Sequence, residues 1–254
     1  PGGFYGCMGT HHRATPPTTH DPPLCWLPHS KFVPAGDNSG GGQAWVTSDR
    51  WGPFAGRLLH TSYGTSGLFL VLHEQVGDVV QGGVVRFPLT FATGILRARF
   101  HPLDGQLYVC GLKGWQTAGA LDGAFQRVRY TGKPVRSVTA MKVTAAGVEL
   151  TFTTSLDPAS AADAGNYSAQ WWNYAWTKNY GSPEFKVSDP KKRGRDDVEI
   201  KAAKLSADGR TVSLEIPGMR PVMQLYLRSA VKAADGAAIQ QEIYGTVNAV
   251  PGGK

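Results

Sequence analysis

Gly94-Ile-Leu-Arg-Ala-Arg-Phe-His-Pro-Leu-Asp-Gly-Gln-Leu-Tyr-Val-Cys-Gly-Leu112 decides the fold class of this 254-residue chain. Two short alternating runs flank a Pro-x-Asp-Gly turn. Leu96, Ala98 and Phe100 fall on one face of the first run, and Arg97, Arg99 and His101 on the other. Such alternation marks a half-buried strand. Asp104-Gly105 supplies the positive φ that a tight hairpin needs. The hairpin therefore sets two arginines side by side on one face of a sheet.

The same signals recur on both sides of this hairpin. Seven strands are expected before the midpoint, near 43–47, 57–61, 67–73, 82–88, 95–101, 106–111 and 123–130. Residues 1–42 are rich in Pro, Gly, Thr and His, carry little periodicity and read as an irregular segment. A boundary is expected at Thr131-Gly-Lys-Pro134, because every histidine and cysteine lies before residue 111. Residues 135–250 read as a second β unit, a sandwich. Val148-Glu-Leu-Thr-Phe-Thr153 alternates, Leu205–Ile216 is a turn feeding a strand, and Gln224–Arg228 and Ile239–Val247 give the last strands. Leu156–Tyr167 predicts one helical turn between strands. With 32 Gly, 17 Pro and only 18% charged residues, the composition suits many short strands joined by turns.

The front half resembles the closing blades of the soluble glucose/sorbosone dehydrogenases, β-propellers that bind pyrroloquinoline quinone (PQQ). The resemblance rests on Arg97-x-Arg99, Pro102, Asp104-Gly105 and Leu107-Tyr108, on Cys25-Trp-Leu-Pro-His29, on Trp51-Gly-Pro-Phe-Ala-Gly-Arg-Leu-Leu59 and on Gly67–Leu72. It covers roughly residues 20–130 and implies that Arg97 and Arg99 contact the quinone. Thr65-Ser66 stand where that family carries a cofactor-binding lysine, and its catalytic histidine belongs to blades this chain lacks. The second half resembles the Ig-like modules of secreted bacterial proteins, and the whole resembles the C-terminal region of large secreted planctomycete-type proteins. The expectation is thus all-β: an irregular segment over 1–42, a propeller-blade-like domain of about two blades over 43–132, and an Ig-like β-sandwich over 135–250. A propeller needs at least four blades. The missing ones would come from another polypeptide, or the segment packs as something smaller. Pro1 reads as the start of a mature or excised form, and the compartment implied is periplasmic or extracellular.

Four groups of residues can carry chemistry. Arg97 and Arg99 can grip carboxylates with two guanidinium forks, and PQQ carries three. The alternative is an exposed pair on a solvated strand. His11, His12, His20 and His29 with Cys25 are candidate ligands for a metal ion or haem, though their spacing matches no standard motif. The alternative is a proline-rich strap. Trp172, Tyr174 and Trp176 would share one face of a strand and, with Trp115, can stack on sugar rings; an aromatic core is the competing reading. Asp189-Pro-Lys-Lys-Arg-Gly-Arg-Asp-Asp197 can meet phosphate or acidic polysaccharide, but its aspartates partly neutralise it and a solvated loop explains it as well. Of the three cysteines, Cys110 alternates with strand residues and reads as a small buried hydrophobe. Cys7 and Cys25 can pair in an oxidising compartment.

The net charge of +7 is spread along the chain, whereas a nucleic-acid binder concentrates it. No apolar run is long enough to span a bilayer. There is no phosphate-binding Gly-rich loop, no His-Glu-x-x-His and no nucleophile elbow. Three functions follow as expectations. The first is a secreted, carbohydrate-related module built like a PQQ-type sugar dehydrogenase propeller and incomplete as an enzyme, so that any sugar oxidation needs the missing blades. The second is a module that binds polysaccharide or protein. The third is a metal or haem protein.

Overall fold

Gly67–Val76 begins with six buried residues, because in the computed structural model this strand is covered on both sides. Leu68, Leu70 and Leu72 enter one core and Phe69 and Val71 a second. A strand buried on both faces reads as a continuous apolar run rather than an alternating one. The structure describes residues 3–5, 18–31, 33, 36–179 and 181–252.

In chain order the strands are β1 (Gly40–Trp45), β2 (Leu58–Ser62), β3 (Gly67–Val76), β4 (Val79–Arg86), β5 (Gly94–Phe100), β6 (Leu107–Leu112), β7 (Gly123–Val128), β8 (Val138–Thr144) and β9 (Gly147–Phe152). After the short helix α1 (Pro158–Ala162) come β10 (Tyr167–Tyr174), β11 (Glu184–Phe185), β12 (Asp196–Val198), β13 (Ala202–Leu205), β14 (Thr211–Glu215), β15 (Val222–Lys232) and β16 (Ala238–Val247). Strand makes up 46% of the chain and helix 6%, so the all-β expectation holds. Asp157 caps α1, its carboxylate accepting from Ser160 N, and Pro158 opens the helix, as the sequence of that turn predicts.

These strands form three antiparallel sheets. One has nine strands in the order β1-β2-β3-β4-β16-β15-β10-β11, with β12 also on β10. A second runs β13-β14-β9-β8, and a third is β5-β6-β7. The seven strands expected in the front half are all present, four in one meander and three in the next. Thr131–Pro134 is an irregular link, as expected. Yet no break in the sheet coincides with it: β16 returns from the second half and pairs with β4, Ile243 opposite Val85 and Tyr244 opposite Val84. Composition and turn residues mark where the chain changes course. They carry no information about which distant strand a free edge accepts.

The main core lies between the four-stranded sheet and the nine-stranded one. Met141, Leu150, Phe152 and Leu214 face Leu225, Leu227, Ile239 and Ile243 in one cluster. Gly245 on β16 lets this layer close, since a Cβ there would lie 2.8 Å from Met141 Cε. The same cluster continues under the three-stranded sheet through Ile95, Ala98, Leu107 and Val109. Trp51 sits at that join, 5.4 Å from Phe100, 5.8 Å from Phe54 and 6.0 Å from Phe87 between ring centroids.

The other face of the nine-stranded sheet carries Trp172, Tyr244, Phe69, Val71 and Val84. The proline-rich segment lies across it as an irregular strap. Leu24, Leu27 and Val33 pack on this second core. Trp26 N donates to Thr246 Oγ1 at 2.7 Å, and Asn248 Nδ2 to the Pro23 carbonyl at 2.8 Å. The described part of residues 1–42 is irregular up to Ser39, and β1 begins at Gly40.

Candidate functional site

The Gly94–Leu112 hairpin, with β7 beside it, presents a surface of arginine and aromatic side chains. Gly105 takes the left-handed conformation, φ +67°, while Asp104 does not, so the connection is wider than a two-residue turn. Gly105 N donates to the His101 carbonyl and His101 N to the Gln106 carbonyl, which closes a loop of Pro102–Gly105. Asp104 ties the loop to the sheet. Its carboxylate accepts from Gln106 N at 2.9 Å and from the Tyr108 hydroxyl at 2.7 Å. These two bonds hold the Asp104 carboxyl below the usual carboxylate range and fix the Tyr108 ring.

β5 carries a bulge at Leu96, the residue left over between Ile95 opposite Gly111 and Arg97 opposite Cys110. Beyond it the alternation is regular. Ala98 turns inward, and Arg97 and Arg99 turn out and are exposed. Across the sheet the outward residues form two rows, Arg97–Cys110–Phe125 and Arg99–Tyr108–Arg127. Cys110 is exposed, which corrects the expectation of a buried cysteine: its side chain is on the solvent side of the pleat, while Leu107 and Val109 face the core. Tyr108 and Phe125 stack, 5.4 Å apart and 25° between planes, and the His101 ring follows at 5.6 Å from Tyr108. Phe125 is 73% exposed, although it is a phenylalanine. Arg97, Arg99, His101, Tyr108 and Phe125 line one open concavity of ≈ 550 Å³.

Both arginines are partly committed. Arg97 donates to the carbonyls of Gly41 and Leu96 at 3.1 and 2.7 Å, and Arg99 to that of Ala98 at 2.7 Å. These bonds run through one terminal nitrogen of each guanidinium group, which carries five N–H donors in all. The residues present do not fit an enclosed quinone. Every residue lining the concavity comes from β5, β6, β7 and their hairpin, so the chain supplies one wall. Thr65 and Ser66 bring no cation, and the Ser66 hydroxyl is buried.

The aromatic strip expected in the second half is taken up by packing. Trp172 has 0% exposure and is a core residue, so Trp172, Tyr174 and Trp176 do not form an open sugar platform. Tyr174 lies against Trp26 at 5.9 Å, and Trp176 against His20 at 4.9 Å and Phe4 at 6.4 Å. The strap covers what the sequence leaves open. Trp115 differs: it stands in the loop after β6 and is 85% exposed. Asp189–Arg195 forms the turn between β11 and β12, and Asp196 and Asp197 open β12, where Asp196 binds Ser188 and Lys186.

His11, His12 and Cys7 lie outside the described residues. His20 bonds the Asp21 carbonyl through Nδ1, and His29 Nδ1 accepts from Lys31 N. The Cys25 thiol donates to the Tyr244 carbonyl at 3.4 Å. Burial pushes that thiol up to about 12, with Thr246 opposing. Among the described residues, no three His, Cys, Asp or Glu side chains gather as a metal site would require.

One polar cluster escaped the sequence reading. Asp37 is buried and lies 2.9 Å from His60 Nε2; it also accepts from Ser62 Oγ at 2.6 Å and Ser39 N at 3.0 Å. The serine bonds the carboxylate and not the imidazole, so the trio is a clasp joining the strap to β2 and not a nucleophile relay. Burial raises the Asp37 carboxyl, but its hydrogen bonds from His60, Ser62 and Ser39 outweigh this and leave it lowered. A lowered folded value stabilises above the unfolded value of about 4 and is lost as pH falls through the folded one. Asp37→Asn should therefore cost about 1–3 kcal/mol at pH 7. Urea unfolding should show that gap narrowing as pH falls below the unfolded value of about 4, and closing once pH has passed the lower folded value and the wild-type carboxyl is itself protonated.

No protein-family model, curated protein or solved structure matches the chain.

Proposed function

We propose that the chain is a non-catalytic, carbohydrate-binding module of a secreted protein, with the outward face of β5, β6 and β7 as its binding surface. The supporting observation is the exposed Phe125 ring stacked on the half-buried Tyr108 in a face that also carries Arg97, Arg99 and Arg127. Contiguous exposed apolar surface rimmed by polar residues marks interaction sites. Flat aromatic faces suit the C–H faces of sugars, and the arginines supply donors for hydroxyl and carboxylate oxygens.

In this reading the β1–β4 meander and the β5–β7 sheet are two units of a propeller-like arrangement. The two sheets that hold β8–β10 and β13–β16 are an Ig-like spacer fused to it through β4 and β16. That arrangement is akin to the quinone-dependent sugar dehydrogenases in architecture, and no catalytic role is assigned to this chain.

Calorimetry against a panel of soluble glycans tests the reading. One or more should bind, and Phe125→Ala should weaken the interaction about tenfold, the cost of truncating an aromatic anchor by about 1.4 kcal/mol. Phe125 is exposed, so its thermal unfolding should match wild type. Binding that is unchanged in Phe125→Ala and Tyr108→Ala would move the site elsewhere, and a panel without a single ligand would end the proposal.

A further inference from the structure

We infer that this face takes an acidic polysaccharide, a chain of sugars bearing carboxylates; the inference rests on the carbohydrate reading above and specifies its ligand. The first argument is charge. Arg97 and Arg99 project two positions apart on β5, Arg127 projects from the same face on the far side of Tyr108, and of the three only Arg127 has the Asp104 carboxylate near it, at 3.8 Å. That carboxylate is itself engaged with Tyr108 and Gln106. Arg97 and Arg99 make no ion pair among the described residues. A neutral glycan would leave both guanidinium groups facing only hydroxyls. A guanidinium fork matches a planar carboxylate with two parallel bonds, which a lysine cannot do.

The second argument is shape. The His101, Tyr108 and Phe125 rings step across the sheet at 5.6 and 5.4 Å, a stride comparable to one sugar residue in an extended chain. Arg99 is the cross-strand neighbour of Tyr108, and Arg97 shares a row with Phe125, with Cys110 between them. A polymer laid along the ring strip would thus have both cations along its β5 side. The concavity is open along its length, as a polymer needs and a small enclosed ligand does not. The chain's +7 charge would speed the encounter with a polyanion at low salt.

Isothermal titration of the full chain with polygalacturonate, its methyl-esterified form, a neutral glucan, dextran sulfate and poly(U) decides the matter. Polygalacturonate should bind, and esterification, which removes charge and keeps the sugar, should weaken binding at least tenfold. Arg99→Gln should do the same, and Arg99→Lys should recover part of the loss, since charge returns without the fork. Arg97 also holds two carbonyls, so Arg97→Gln is read only alongside its melting temperature. Equal binding of glucan and polygalacturonate would overturn this inference and leave the carbohydrate reading intact. Tighter binding of dextran sulfate or poly(U) than of polygalacturonate would replace carboxylate recognition with general polyanion binding and overturn it too. Absence of binding to every glycan would remove both.

Discussion

Trp51→Ala should lower the stability of the protein by about 3–5 kcal/mol, the range for removing a large buried aromatic. The indole is 4% exposed and has ring neighbours from three parts of the chain: Phe54 in its own 3-10 turn, Phe87 after β4 and Phe100 on β5. Its Nε1 donates to the Val128 carbonyl at 3.3 Å, at the end of β7. Removing it therefore leaves a cavity and an unmet carbonyl at the join between the first meander and the three-stranded sheet. Trp51→Phe should cost less, about 1–3 kcal/mol, since most of the volume stays and the hydrogen bond goes. The two sheets are held together here, so the effect should spread to β5–β7. Hydrogen exchange should show β5–β7 amides losing protection in Trp51→Ala before those of β15 and β16 do. Uniform loss across all strands would mean that the join is no weaker than the rest of the fold.

The contrast between Trp51 and Phe125 shows what sequence reading reaches and where it stops. Strand positions were legible wherever one face is buried, as on β5, β9 and β14, because alternation records burial directly. The α1 turn was legible from Asp157-Pro158 for the same kind of local reason. Phe125 was not, since its strand carries Gly123, Phe125 and Arg127 on the exposed side and Ala124, Gln126 and Val128 on the other. Neither set looks like a core, and the ring becomes notable only when β6 brings Tyr108 beside it. The arginine pair was visible as a pair; its partner rings came from another strand. Pairing of β4 with β16 spans more than 150 residues, and Asp37 meets His60 and Ser62 only through the path of the strap. Local patterns record which face of a strand is buried. They do not record which residue from elsewhere does the burying, and for that reason the second-half aromatics could be read either as a core or as a sugar platform.

Trp172→Ala is the sharpest test of that last point, because a sugar platform and a core residue respond in opposite ways. An exposed stacking residue can be cut to alanine with little effect on unfolding. Trp172 has no exposed surface and packs with Phe69, Val71, Val84 and Tyr244. The Arg195 guanidinium lies 4.0 Å from its ring centroid, and Glu184 grips that arginine from the side with bonds of 2.7 and 2.8 Å. The ring thus supports a cation that is itself half-buried, and such a contact adds about 0.5–2 kcal/mol to the packing. Trp172→Ala should cost about 3–5 kcal/mol, visible as a lower urea midpoint. Trp172→Phe keeps an aromatic face under Arg195 and should recover much of the loss. Arg195→Met should separate the two contributions: it removes the charge, leaves Glu184 unpaired and keeps an apolar chain over the ring. If the cation–π contact matters, Trp172→Phe and Arg195→Met together should cost less than their separate losses added, as residues in contact do. Strict additivity would show that packing alone fixes Trp172. Glycan binding at the β5–β7 face should be unaffected by Trp172→Phe at temperatures where the variant is folded, because the residue lies on β10, in a different sheet.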